Sequence, residues 1–210
     1  MRRRQRAELI SQELTKLYPD AVCELEYRTP WQLLVATVLS AQCTDHRVNQ
    51  VTPEFFRRWP DPSSLAAAHR ERVEEIIRPT GFFRHKARNL QQTARLVMAD
   101  HGGQVPRDVD SLVALPGVGR KTAKVVLGEA FGMAVGIAVD THVRRLSNRM
   151  GLSAQTDPER IAADLEDLLP REEWVDFSKR LILHGRRVCS ARSPDCSGCS
   201  LAAVCARVGV

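Results

Sequence analysis

The stretch Leu115-Pro116-Gly117-Val118-Gly119-Arg120-Lys121-Thr122 lies between two segments that both have helical periodicity. Pro116 cannot continue the first helix, while Gly117 and Gly119 permit positive φ and a close approach of another backbone. The stretch therefore predicts a hairpin between two helices. The N–H groups of such a hairpin, with the N-terminus of the second helix, form a place for a phosphate.

Lys121 lies just inside the second predicted helix of this hairpin. The helix dipole and the adjacent Arg120 both disfavour the ammonium form of its side chain. A phosphate site beside a lysine that is biased towards the free amine indicates chemistry on a nucleic acid. The alternative is an ordinary glycine-containing turn with a solvated lysine, and this stretch alone leaves both interpretations open.

Length and composition describe a folded, soluble protein of 210 residues with 43% hydrophobic and 27% charged residues. The net charge of +6 favours a polyanionic partner. No apolar run of signal-peptide length follows the basic start at residues 1–6, and the most apolar run, Leu33 to Leu39, is shorter than the roughly 20 residues of a membrane span. We expect a cytoplasmic protein with no membrane association, whose cysteines are reduced.

Nearly every segment has helical period, and none alternates as a strand would. The segment from Leu33 to Leu39 is apolar almost all round, so it predicts a central, buried helix opened by Thr29 and Pro30. This helix runs into Ser40-Ala41-Gln42-Cys43-Thr44-Asp45, a polar exit from a core helix. The sequence predicts an all-α protein of two helical lobes, with the hairpin and Asp140 between them.

Four of the six cysteines form a closely spaced group near the end of the chain. In a reducing compartment such cysteines are metal ligands or buried thiols rather than disulfides. Structural zinc sites usually bring two short-spaced pairs of ligands, whereas only the middle interval here is two residues long. The spacing therefore favours an iron–sulfur centre, with zinc as the alternative. This cysteine group comprises Cys189, Cys196, Cys199 and Cys205.

A helix predicted for residues 172–184 precedes the cysteine group, and Arg186, Arg187 and Arg192 lie beside or inside the cysteine loop, residues 189–205. A metal-stiffened basic loop binds phosphates without reading base sequence. Arginines that simply solvate a surface turn are the alternative.

Taken together, these features resemble the endonuclease III family of DNA glycosylases, in the helix-hairpin-helix superfamily. The resemblance covers nearly the whole chain. The hairpin alone occurs in many DNA-binding proteins, but the ordered combination of hairpin lysine, aspartate and cysteine spacing is specific. It is carried by the hairpin, Val139 to Val143, Leu39 to Gln42 with Thr44 and Asp45, and Leu183 to Gly185 before the cysteine group.

The resemblance implies two helical lobes with a DNA-binding cleft between them. One lobe is a six-helix barrel of residues 22–134, with the helix-hairpin-helix at about residues 108–131. The other lobe combines residues 1–21 and 135–210, and its cysteine loop holds a [4Fe–4S] cluster with the cysteine group as ligands.

The resemblance further implies a bifunctional glycosylase and AP lyase of base excision repair. Such enzymes flip a damaged pyrimidine out of duplex DNA, cut its glycosidic bond and cleave the strand at the abasic sugar by β-elimination. Lys121 resembles the nucleophile that forms a Schiff base, and Asp140 resembles the catalytic carboxylate. Gln42 and Phe82 resemble the residues that fill the gap left by the flipped base, although leucine is frequent at the second position and Phe82 could instead belong to the core.

The remaining expectations concern the pocket, the DNA contacts and the partner. Ser40, Asp45 and His142 are expected to shape the pocket. The expected partner is duplex DNA with damaged pyrimidines or abasic sites, bound by a monomer at the nucleoid. The expected DNA contacts are Gln42, Phe82, Gly117, Gly119, Arg120, Arg186, Arg187 and Arg192.

Two other functions are consistent with this scaffold. A monofunctional mismatch glycosylase is one, but such relatives carry a non-lysine residue at the position of Lys121. A weakly active or non-catalytic DNA-damage-binding protein is the other. Its only support is the interval from Lys121 to Asp140, which is one residue longer than is usual in the family, with the extra residue around 134–136.

Overall fold

The computed structural model describes all 210 residues and contains helices, turns and coil without a β-strand. The predicted all-α class is confirmed. No helix combines the length and the apolar character that a membrane span requires. The helices are α1 (Arg3–Leu17), α2 (Pro30–Leu39), α3 (Asp45–Arg58), α4 (Pro62–Ala66), α5 (Arg70–Ile77), α6 (Phe83–Asp100), α7 (Val109–Val113), α8 (Arg120–Phe131), α9 (Thr141–Arg149), α10 (Pro158–Leu168) and α11 (Trp174–Arg187), with 3₁₀ turns at Arg78–Thr80 and Arg171–Glu173.

The chain divides into two compact units, one formed by Cys23–Met133 and the other by Met1–Val22 with Ala134–Val210. We call them the central unit and the terminal unit. The central unit contains α2 to α8, and the terminal unit contains α1 and α9 to α11.

The central unit is built around α2. The Thr29 side chain accepts a hydrogen bond from the Gln32 backbone N–H and Pro30 occupies the first turn, so this helix begins with two of the strongest start signals. Leu33, Leu34 and Leu39 are fully buried. Helices α3, α6 and α8 all pack against α2. The predicted central helix therefore determines where the helix that carries Lys121 lies within this unit.

In the terminal unit, α11 packs against α1 and α9, and α10 also contacts both of those helices. Leu14, Leu146, Phe177 and Leu181 are fully buried in the shared core. The C-terminal coil is anchored to the same core by Leu201, which is also fully buried. The cysteine loop is therefore attached to a packed helical unit.

Helix α11 ends three residues later than the sequence pattern predicted. It continues to Arg187, and the His184 carbonyl accepts hydrogen bonds from the backbone N–H groups of Val188 and Cys189. Basic side chains are favourable in the last turn of a helix, which explains the extension. Arg186 and Arg187 consequently belong to α11, and only Arg192 lies in the cysteine loop.

Candidate functional site

The hairpin of residues 115–122 forms a tight turn between α7 and α8. The backbone N–H of Val118 donates to the Leu115 carbonyl, and the Thr93 hydroxyl of α6 donates to the Pro116 carbonyl. Leu115 and Val118 are buried and anchor the turn to the central unit. The hairpin is therefore held from two sides while its glycines face outward.

The two glycines of the hairpin have different backbone conformations. Gly117 has a φ of +82°, and a Cβ added there would lie 2.9 Å from Asn89 Nδ2. Gly119 has a φ of −92° and a ψ of 172°, an extended conformation open to any residue. The expected use of positive φ therefore holds for Gly117 alone, and Gly119 instead leaves open space beside the start of α8.

Lys121 lies in the first turn of α8 and is exposed. Gly119 is the N-cap residue and provides no capping side chain, and the first turn of α8 contains no acidic residue. The N–H groups of a first turn lack acceptors within their own helix, so this terminus favours an external anion. Lys121 is the second residue of this helix.

Asp140 is the N-cap residue of α9, in the terminal unit. Its Oδ1 accepts a hydrogen bond of 2.8 Å from the Val143 backbone N–H. The side chain therefore caps α9, which is the ordinary structural role of an aspartate at a helix start. Capping engages only one carboxylate oxygen, so it is compatible with a second role.

His142 follows Asp140 in a partly buried, mainly cationic environment. Burial lowers the pKa of His142, the Asp140 carboxylate opposes this effect, and Arg145 and Arg186 reinforce it. Arg145 Nη2 lies 3.1 Å from His142 Nδ1. A Cβ added to Gly185 would lie 2.8 Å from the same nitrogen, so the glycine allows α11 to approach this imidazole closely.

Gln42 and Phe82 both have the left-handed backbone conformation, with φ of 54° and 47° respectively. Both side chains are exposed, and Phe82 is 66% exposed. The interpretation of Phe82 as a core phenylalanine is therefore wrong. Non-glycine residues rarely adopt this conformation, and strained residues of this kind concentrate at functional sites.

Ser40 and Asp45 flank the exit from α2. Ser40 Oγ donates to the Thr37 carbonyl, which completes the last turn of α2. Asp45 is the first residue of α3, and the Thr44 side chain caps this helix by accepting from the Arg47 backbone N–H. Both residues are partly buried beside Gln42, and their role in shaping a pocket stays a prediction.

The cysteine group lines one cavity, which is also lined by Arg149 and His184. Burial raises the pKa of the Cys199 and Cys205 thiols. Arg149 Nη1 donates to Cys189 Sγ at 3.4 Å, and His184 Nε2 lies 3.5 Å from Cys199 Sγ. No three thiol, imidazole or carboxylate side chains converge on a position for one metal ion.

Two arginines that sequence reasoning missed hold the start of the cysteine loop. Arg145 Nη2 donates to the carbonyls of Gly185 and Cys189 at 3.0 and 2.9 Å. Arg149 donates to the carbonyls of Ser190 and Ala191 at 2.6 and 2.7 Å. Their spacing of four residues on the predicted helix places them on one face and was the only available signal.

The three basic residues of the terminal unit that are expected to contact DNA, namely Arg186, Arg187 and Arg192, are all exposed. Arg187 lies over the Tyr18 ring, with its guanidinium carbon 5.6 Å from the ring centroid. Arg186 is in the last turn of α11, and Arg192 is in the cysteine loop. They form part of the accessible surface of the terminal unit.

Comparison with known proteins identifies the family. Residues 35–171 match the model of the HhH-GPD superfamily base excision DNA repair proteins. The endonuclease III of Synechocystis sp. is 54% identical over 97% of this chain and 93% of its own length. The chain belongs to the endonuclease III family. Enzymes of this family are DNA glycosylases and AP lyases of base excision repair, and this chain is one of them.

Two solved endonuclease III structures match the fold closely. One is a non-covalent complex with DNA and the other is a trapped covalent intermediate with DNA. Each is 43% identical to this chain, covers 99% of it and 97% of its own chain, and has a TM-score of 0.93. The two-lobed helical fold of the endonuclease III family is therefore confirmed for this chain.

The hairpin glycines provide a direct test of the local geometry. Gly117→Ala should lower the free energy of unfolding by about 2 kcal/mol or more, because the alanine adopts an unfavourable φ and displaces Asn89. Gly119→Ala, the matched control, should cost less than about 1 kcal/mol, the difference between glycine and alanine at an N-cap. Urea denaturation measures both values, and equal losses would contradict the assignment of positive φ to Gly117 alone.

Proposed function

We propose that this glycosylase and AP lyase removes oxidised pyrimidines from duplex DNA, with Lys121 as its nucleophile and Asp140 as its catalytic carboxylate. The observation that carries the proposal is the exposed Lys121 at the start of α8, which lacks a side-chain cap and directly follows the hairpin. A DNA phosphate bound by the hairpin would bring the neighbouring sugar to the amine.

The lysine performs both bond cleavages in this mechanism. The neutral Lys121 amine attacks C1′ of the damaged nucleotide, and the base departs with the electrons of the glycosidic bond. Loss of a proton from nitrogen and opening of the sugar ring leave a Schiff base between Nζ and C1′. The iminium makes the C2′ proton acidic, so its removal expels the 3′ phosphate and breaks the strand. Water then releases the lysine. The trapped covalent endonuclease III–DNA intermediate of the relative supports this step.

Asp140 would act on the sugar with the carboxylate oxygen that does not cap α9. Departure of the base leaves positive charge on the sugar ring, and a fixed negative charge stabilises that charge as it develops. The Val143 N–H fixes the carboxylate through Oδ1 and leaves Oδ2 for this role. The same carboxylate shuttles protons during elimination.

Gln42 and Phe82 would enter the duplex when the damaged base leaves the stack. Flipping costs a few kcal/mol of pairing and stacking, so an inserted amide and an inserted ring recover part of that loss. Their exposure and their strained left-handed backbone, a conformation that concentrates at functional sites, support insertion. Ser40, Asp45 and His142 would then contact the flipped nucleotide.

Phosphate contacts would come from the hairpin and from the exposed arginines. Gly117, Gly119 and Arg120 would bind one phosphate region through backbone N–H groups and charge. The net charge of +6 and the DNA complex of the relative support DNA as the partner. Arg186, Arg187 and Arg192 of the terminal unit would bind further phosphates.

The cysteine group would hold the [4Fe–4S] cluster that the family implies. All four thiols line one cavity, and both tetrahedral zinc and a four-iron cluster accept four thiolates. The irregular spacing of the four cysteines supports the iron–sulfur cluster, because structural zinc sites usually bring their ligands as two short-spaced pairs. When bound, the cluster keeps the thiolates deprotonated and stiffens the loop that carries Arg192.

Covalent trapping tests the role of Lys121. With borohydride and duplex DNA that contains an abasic site, the wild type should form a stable adduct, because reduction fixes the Schiff base. Lys121→Ala should form none, whereas Lys16→Ala, which removes an exposed lysine of α1, should trap normally. Absence of a wild-type adduct would contradict the lyase mechanism and favour a mismatch glycosylase or a DNA-damage-binding protein. An adduct in Lys121→Ala would show that another residue is the nucleophile.

Substitution of two helix caps separates the chemistry of Asp140 from its structural role. Asp140→Asn keeps an N-cap of equal quality but loses the charge, so single-turnover base release should fall about a hundredfold or more while DNA affinity survives. Asp157→Asn makes the same change at the cap of α10, where the carboxylate accepts a hydrogen bond from the Arg160 backbone N–H. This variant should leave the rate of base release unchanged. Near-normal base release in Asp140→Asn would leave only the cap role.

Metal analysis tests the cluster. The purified protein should be yellow-brown and contain about four irons per chain. Cys199→Ser should lose iron, because it removes one ligand, whereas Cys23→Ser, outside the cysteine group, should keep it. Zinc in place of iron would contradict the cluster assignment.

A further inference from the structure

Lys86 is a buried lysine that the mechanism above leaves without a role. It lies in the first turn of α6 and is only 4% exposed. Burial lowers the pKa of Lys86, and the nearby Cys43 opposes that effect. A lysine is rarely buried to this extent unless its nitrogen has well-placed partners.

The Lys86 nitrogen joins two segments of the central unit that are distant in sequence. Nζ donates to the Leu39 carbonyl at 2.8 Å and to the Thr80 carbonyl at 2.7 Å. Leu39 is the last residue of α2, and Thr80 is the last residue of the 3₁₀ turn before α6. Both carbonyls lie at helix ends, where the helix itself supplies no donor. We call this pair of hydrogen bonds the Lys86 bridge.

Each end of the Lys86 bridge lies next to one of the strained, exposed residues. Gln42 follows Leu39 by three residues, and Phe82 follows Thr80 by two. The Phe82 carbonyl also accepts a hydrogen bond from the backbone N–H of Lys86 itself. A left-handed conformation at a non-glycine residue costs about 1–2 kcal/mol and persists only where the surroundings fix it.

We propose that Lys86 is a positioning residue that fixes Gln42 and Phe82 at the separation required for joint insertion into DNA. This inference rests on the proposed insertion role of those two residues. Both the ammonium and the neutral amine have the two N–H donors that the bridge needs, so the bridge is independent of the charge of Lys86. Removing the nitrogen leaves two backbone carbonyls unsatisfied and lets the two segments move independently.

The test compares two substrates in Lys86→Met, which keeps the length of the side chain and loses the donors. An oxidised pyrimidine in duplex DNA must be flipped and its gap filled, whereas an abasic site in single-stranded DNA requires neither. The ratio of the single-turnover rate on the first substrate to that on the second should fall about tenfold or more, since small misplacements of this kind carry large kinetic costs. An unchanged ratio, which includes the case of equal losses on both substrates, would overturn the proposal.

Gln91→Met is the matched control on the same helix. Gln91 is 1% exposed and its Nε2 donates to the Ala68 carbonyl at 2.7 Å, so the variant also loses a buried hydrogen bond to a carbonyl. The hydrogen bond from Gln91 involves neither the end of α2 nor the 3₁₀ turn. The rate ratio should stay at the wild-type value, and a fall equal to that of Lys86→Met would show a general effect of destabilisation and overturn the positioning role.

Two further measurements keep the proposal falsifiable if Lys86→Met fails to fold. In the wild type, amides of residues 40–43 and 80–82 should exchange with solvent slowly, since the bridge restrains both segments. Exchange at the rate of an unstructured peptide would overturn the proposal. Gln42→Ala and Phe82→Ala measure insertion separately. An unchanged ratio of the two single-turnover rates in both of those variants would refute insertion itself. Hydrogen exchange would still test the Lys86 bridge in that case.

Discussion

The apolar surface of α2 is the constraint on which the central unit depends. A helix with buried residues on nearly every side must be surrounded by other elements, and α3, α6 and α8 supply that cover. Its burial therefore places the hairpin, which precedes α8, and the segment that leaves α2, which contains Gln42. The most hydrophobic part of the sequence has no chemical role, yet it positions the residues that do.

The terminal unit connects its candidate site residues through α9. Asp140 caps the start of this helix, and Arg145 and Arg149 near its end hold the first carbonyls of the cysteine loop. A nine-residue helix is short and rigid, so the carboxylate and the loop are parts of one element. The start of the cysteine loop is consequently attached to the same helix that Asp140 caps.

How much of this could be predicted from sequence depends on how local the physical signal is. Helix starts such as Thr29-Pro30 and the Asp140 cap have short-range signatures, and the structure places the side-chain hydrogen bonds where those signatures indicate. The extended conformation of Gly119 was missed because a glycine permits both positive and negative φ, so its presence does not indicate which of them occurs. The exposure of Phe82 was left open, since the resemblance implied an inserted residue whereas an aromatic residue after a glycine also suits a core.

The residues that sequence reasoning missed altogether act over long distances in the chain. Lys86 binds a carbonyl 47 residues away, and Arg149 binds one 42 residues away. The partners of both residues are backbone carbonyls, which every residue type has. The contacts therefore leave no motif in the sequence. A pattern search detects side chains that recur at fixed spacing, and it has no means of detecting a lysine whose partners are the ends of other helices.

These long-range contacts explain why glycine was not needed at positions 42 and 82. Glycine would adopt a positive φ at little cost, but it would supply neither the amide nor the ring that fills a gap in a base stack. A side chain at such a position needs support from neighbouring elements worth about 1–2 kcal/mol. Two hydrogen bonds from one buried nitrogen are of that magnitude. If Lys86 positions Gln42 and Phe82 as proposed, its bridge supports two side chains at positions where the backbone alone would favour glycine.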